Sequence, residues 1–353
     1  TTSTSCSYTG ATFVSVGKLI LDGMPGTPTI LGSTNIGISN AGGSPATLQL
    51  LSNGRLVNIS TVSIARGGVL DLNGFVQTLA GLTLEGGVGS GANVTMGAGQ
   101  INLDGNLQTT VSGGGPVGAL ISGNIYLSSN RTFTIADGSA VGDLTMNAVV
   151  LGPGGIIKDG AGTVTFNAAN TLSGTTAINN GRAIVVGSLD NSNVIVSSGV
   201  GVGMLLGTGS VKSIVAAAGS YVSPGMPALT SGPDVQLLAD SFFTVSIAGP
   251  AVNDKLVATG NVSLAGNLNV SLNYAPAVGA TFTIIDGTGG TGTVTGTFAG
   301  VPEGTILGFG AYKLQIHYDT KSVTLTAVCG MPDATTPTVT APAAATVTQS
   351  VCQ

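Results

Sequence analysis

The chain has 353 residues and a formal net charge of −5, with only 7% charged and 4% aromatic residues and no Trp. An ordinary globular domain is about a quarter charged, yet a hydrophobic content of 42% excludes a disordered polyelectrolyte. There is no basic cluster, so neither nucleic acid nor anionic lipid is an expected partner.

Fifty-seven glycines break the apolar residues into short runs of Val, Ile, Leu and Ala. This is the pattern of many short strands and many tight turns. No run approaches the roughly 18 apolar residues of a membrane-spanning helix. The sequence opens without an initiator Met or a signal-peptide pattern, which reads as a mature, processed chain.

In chain order, residues 1–12 read as an N-terminal extension. From 13 to 225, strands of three to six residues alternate inward apolar with outward polar positions. Segments 49–51, 56–59, 69–72, 82–84, 93–96, 100–103, 131–135, 164–166 and 193–196 are the clearest. Turn pairs lie between them: Asn53-Gly54, Asn73-Gly74, Asp104-Gly105, Asp137-Gly138, Asp159-Gly160 and Asn180-Gly181. Asn and Gly tolerate the positive φ that sharp corners need. Helical periodicity is essentially absent.

A β-sandwich would need long alternating strands and core aromatics. A parallel β-helix needs short strands, small turn residues and coils of roughly 20–25 residues. Scarce charge favours the second, because stacked coils place like residues about 4.8 Å apart, where like charges repel. Stacked Asn, Thr and Ser form hydrogen-bonded ladders instead. The expectation is all-β: a right-handed parallel β-helix, or β-solenoid, with a partly antiparallel C-terminal cap region.

One stretch carries more than pattern. Residues 152–187 read GPGGIIKDGAGTVTFNAANTLSGTTAINNGRAIVVG. This closely resembles the autotransporter-associated β-strand repeat of bacterial autotransporter passengers, with Lys158, Gly160, Gly162, Asn170, Thr171, Ser173, Gly174, Thr176, Asn180 and Gly181 at the motif positions. Residues 68–84 resemble the companion coil of such proteins, 219–225 (GSYVSPG) the motif that closes the run, and 240–328 the region that follows. The resemblance implies an extracellular, bacterial cell-surface protein. It does not extend to an outer-membrane barrel, since a Thr/Pro/Ala-rich tail or linker at 331–353 follows instead. The segment 226–330 holds most of the aromatics and reads as a continuation and cap, covering the apolar disc and open strand edges that a solenoid end would expose.

Candidate chemistry is thin. His317 is the only His, and without a Gly-x-Ser-x-Gly elbow it reads as a strand-surface residue. Asp71, Glu85, Asp104, Asp137, Asp143, Asp159 and Asp190 sit singly beside turn residues. The Gly-rich runs 113–115 and 287–292 lack the Asp spacing of calcium repeats, and Asp286 alone is a weak ligand. The Asn-x-Ser/Thr sequons at Asn58, Asn93, Asn130, Asn261 and Asn269 read as polar strand composition. No catalytic residue, metal site or cofactor is expected.

Cys6, Cys329 and Cys352 are the three cysteines, all near the ends. A disulfide needs Cα atoms within about 7 Å, so in a straight solenoid Cys6 and Cys329 should not pair within one chain. Cys329 could close on Cys352, or Cys352 could reach Cys6 of another molecule. The expected function is that of a rigid rod, either an adhesin stalk or a self-assembling fibre subunit. Its expected partners are other copies head to tail, neighbouring domains of a longer surface protein, or a host-cell or glycan ligand. The alternative is a glycan-binding or glycan-cleaving β-helix, which needs paired carboxylates or stacked aromatics along one face.

Overall fold

A computed structural model of the chain describes residues 9–22, 33–39, 45–197, 199 and 201–329. The tail at 331–353 and all but the end of the 1–12 extension lie outside the described residues. The chain is all-β, and no helix occurs among the described residues. Parallel strands stack into a β-solenoid of about ten turns.

The stacking follows from inward apolar positions that stay in register. On one face, Ile36, Val62, Leu82, Leu107, Phe133, Lys158, Ile178, Val196, Ala216, Leu237 and Leu264 are partners from turn to turn. On the next, Leu48, Leu70, Val94, Ile121, Met146, Phe166 and Val185 follow one another in the same way. Apart from Lys158, these are the hydrophobic core. Each Val, Leu, Ile, Met or Phe among them contributes about 1.5–3 kcal/mol by leaving water.

A third, shorter face arises where one strand bends. Asn93–Leu103 pairs first with Val69–Asp71 and then, past the bend, with Val76–Leu79. Leu229–Leu237 does the same with Leu256–Ala258 and Asn261–Leu264. At the corner after Leu72, Asn73 and Gly74 both take positive φ, at 49° and 89°. Outward polar residues form ladders, such as Gln49 Nε2 donating to Asp71 Oδ2 at 2.5 Å and Asn167 Nδ2 to Asn147 Oδ1 at 2.8 Å.

One expected strand is missing. At 56–59 only Leu56 is bridged, and the following residues turn, leaving Ile59 67% exposed. The buried Gln77 amide replaces a strand partner there. Its Oε1 accepts the Leu56 N–H at 2.9 Å, and its Nε2 donates to the Leu56 carbonyl at 3.0 Å.

Parallel stacking continues beyond 225. Phe242–Gly249 pairs with Asn267–Leu272, and Asn261–Leu264 with Val294–Gly296. The pattern then turns antiparallel: Thr281–Asp286 pairs with Ser322–Val328, that strand with Tyr312–Tyr318, and the latter with Ile306–Phe309. Phe298, 1% exposed, plugs this end and stacks on Phe243 with ring centroids 5.7 Å apart. The Tyr318 hydroxyl holds the plug, accepting the Phe298 N–H at 3.2 Å and donating to the Val301 carbonyl at 2.6 Å.

Solenoid stability is a sum over neighbouring turns, so damage to the cap should stay local. Phe298→Ala should lower the opening free energy of the cap by about 3–4 kcal/mol. Hydrogen exchange in the turns at 156–185 should match wild type; equal acceleration in both regions would show that cap and solenoid open as one unit.

Candidate functional site

The densest cluster of buried polar groups lies in the coil that resembles the passenger repeat. Lys158 occupies the inward column between Phe133 and Ile178 and is fully buried. Its stem therefore packs in the core while its ammonium must find acceptors. Nζ donates to three carbonyls at one corner: Gly160 at 2.6 Å, Asn180 at 2.8 Å and Asp159 at 3.0 Å. Burial pulls the Lys158 pKa down from 10.5 to about 8, against the opposing charges of Asp159, Asp143 and Asp137. The ammonium thus staples two successive turns, since Asn180 belongs to the turn after Asp159.

Gly181 serves the same corner, and Asn170 and Thr176 make buried hydrogen bonds elsewhere in these turns. The buried Asn170 accepts the Val150 N–H at 2.8 Å through Oδ1, and its Nδ2 donates to the carbonyls of Ala168 (2.9 Å) and Ser188 (3.0 Å). Thr176 and Ser192 share a buried hydroxyl pair at 2.8 Å. Gly181, at φ 69°, passes so close to Gly160 that an added Cβ would strike the Gly160 carbonyl. The motif encodes hydrogen-bond partners and close approach at corners, where the strand ladder supplies none.

Most of the scattered carboxylates have similar duties. Asp143, almost fully buried, accepts the N–H groups of Gly138 at 2.8 Å and Thr163 at 2.7 Å. Asp71 accepts Asn73 N–H, Glu85 accepts Arg66 N–H, and Asp159 accepts Gly160 N–H. Asp104 lies 3.7 Å from Arg131. Asp286 accepts both the N–H and the hydroxyl of Thr288 and pairs with Lys255 at 3.4 Å; the Thr288 hydroxyl leads in holding its pKa low. Of the sequons, Asn130 and Asn261 accept backbone N–H groups of the next turn, from Gly155 and Thr293.

His317 lies on the outer face of the cap, where its Nδ1 meets Glu303 Oε1 at 2.9 Å. Glu303 Oε2 also accepts the Tyr318 N–H at 2.6 Å, and that bond leads in keeping the Glu303 pKa low. Cys329 is disulfide-bonded, while Cys6 and Cys352 lie outside the described residues. Among the described residues, no group of three or more His, Cys, Asp or Glu could hold a metal, and no helix is long and apolar enough to cross a membrane.

Two surface features went unread in the sequence. A cleft of about 630 Å³ is lined by Met226, Pro227, Ala251, Asn253, Lys255, Thr281 and Thr283. Its polar groups are engaged within the protein: Asn253 Nδ2 donates to the Asp254 and Thr283 carbonyls, and Lys255 pairs with Asp286. The other feature is the outward stack of Tyr221 on Phe242, with centroids 4.7 Å apart and planes 14° from parallel. The regular hydrophobic count of Gly203–Gly207 and Tyr221–Pro224 hid which side chains face out.

Lys158→Met should leave three corner carbonyls without a donor and lower local stability by about 2–4 kcal/mol. The pH dependence has a definite sign. The folded pKa of about 8 lies below the ordinary 10.5, so between those values the unfolded chain binds the extra proton. Stability therefore rises from about pH 8 to about pH 10.5, whereas below pH 8 the penalty of burying the charge is fully present. Urea unfolding of wild type and Lys158→Met at pH 7.5 and 10 should show the gain in wild type only. A gain of the same size in both proteins would assign it elsewhere.

No family model and no curated protein sequence matches the chain.

Proposed function

We propose that the chain is an extracellular structural protein of the autotransporter-passenger type, a β-solenoid rod on a bacterial cell surface that serves as an adhesin stalk or as a subunit of a self-assembling fibre. The observation that carries this reading is the unbroken inward column from Ile36 to Leu264, in which every turn is hydrogen-bonded to the next. Such a ladder resists bending and extension because many main-chain bonds must yield together. The side chains that would otherwise suggest chemistry, from Lys158 to Asp143, are tied to backbone groups at the corners.

About ten turns at roughly 4.8 Å each make a rod only about 50 Å long. That is short for a stalk, so the reading implies further length, either from neighbouring domains or from association. With Cys329 disulfide-bonded, at most one of the three cysteines remains for a covalent link to another molecule.

The outward Tyr221 and Phe242 pair favours the alternative, a glycan-binding β-helix. A sugar ring stacks on an open aromatic face, and here each ring already covers part of the other. Small-angle scattering of the full chain discriminates first. The rod reading expects an axial ratio of about two or more and a distance distribution with an extended tail. A compact, symmetric distribution, or high-affinity oligosaccharide binding by isothermal titration without any self-association, would set it aside.

A further inference from the structure

Many outward positions in this solenoid are polar, and one of its apolar outward columns carries a stacked aromatic pair. Arg182, Met204, Tyr221 and Phe242 are successive register partners on four consecutive turns, so their side chains form one column on the outer face. Ile184 and Leu206 stand in the neighbouring outward column. Met204, Tyr221, Phe242, Ile184 and Leu206 all keep part of their surface open to solvent, so a flat apolar strip runs along the axis.

The strip has a charge at each end. Arg182 is exposed at one end, and Asp240 is exposed two positions before Phe242 at the other. Among the described residues, neither side chain takes part in an ion pair or hydrogen bond within the chain. With charged residues at only 7%, two unpaired opposite charges framing one apolar strip form a complementary pattern.

We propose that this face binds a second copy of the chain, face to face and with its axis reversed, about a two-fold parallel to the strands. This rests on the rod reading and specifies how rods associate. Turns repeat at about 4.8 Å, so a two-fold placed between the Met204 and Tyr221 turns maps the column onto itself. Met204 then meets Tyr221 of the second copy, a favourable sulfur–aromatic contact. Arg182 meets Phe242 of the second copy, with the carboxylate of Asp240 beside it for the guanidinium. Both contacts occur twice, as an isologous interface requires. A neutral sugar would use the rings but would leave both charges unmatched, and this makes the second copy the better occupant.

Sedimentation velocity of the full chain from about 1 to 100 µM should show a reversible dimer. Phe242→Glu and Arg182→Glu should each weaken it at least tenfold, and so should Asp240→Asn, which suits the φ of 61° at that position. Combining Arg182→Glu with Asp240→Arg should restore assembly to within about threefold of wild type, with far-UV circular dichroism unchanged throughout. A wild type that stays monomeric, single variants that assemble like wild type, or a charge swap that fails to restore assembly would overturn the proposal. Scattering of the monomeric variants separates the two readings: an elongated monomer leaves the rod standing whatever becomes of the dimer, and a compact one removes the rod itself.

Discussion

Every parallel strand of the solenoid depends on neighbouring turns for its main-chain partners. A parallel strand cannot satisfy its own N–H and C=O groups, so along the faces the strands of the neighbouring turns supply the partners. Register is thereby fixed, because a slip of one residue would move an entire inward set to the surface. The spacing between partners nevertheless varies: Leu70 pairs with Val94, whereas Phe166 pairs with Val185. The corners absorb the difference and the faces do not.

The ionised interior follows from the same constraint. At corners the chain leaves the ladder, and carbonyls and amides there lose their regular partners. Lys158 supplies three donors to such carbonyls, and Asp143 accepts from two such amides. The Lys158 ammonium is buried at a desolvation penalty, and no apolar side chain could supply these donors or acceptors. Gln77 fills an equivalent gap beside Leu56 with a neutral amide.

Much of the fold was legible because alternation and turn chemistry coincide. Segment 82–84 lies within the strand Gly81–Gly87, 193–196 within Ser188–Val196, and Gly160 and Gly181 take the positive φ their corners require. Segment 56–59 was misread because its alternation is real but its bonding partner, Gln77, lies a turn away in a side chain. The interior place of Lys158 was equally hidden: a lysine reads as outward until its three acceptors are seen. The outward apolar column escaped notice because Met204, Leu205 and Leu206 are all apolar, and composition alone cannot say which of them faces in. Within the stretch 152–187, which was singled out by resemblance alone, Lys158 and Asn170 prove to be buried partners of main-chain groups.

The Phe298 plug fits one particular turn, since it stacks on Phe243 and is held by Tyr318. The turns upstream touch only their immediate neighbours. Extra turns could therefore be spliced into the middle of the gene, or lost from it, without refitting the lid. Length is then open to selection, while the final turn and its closure must be inherited together.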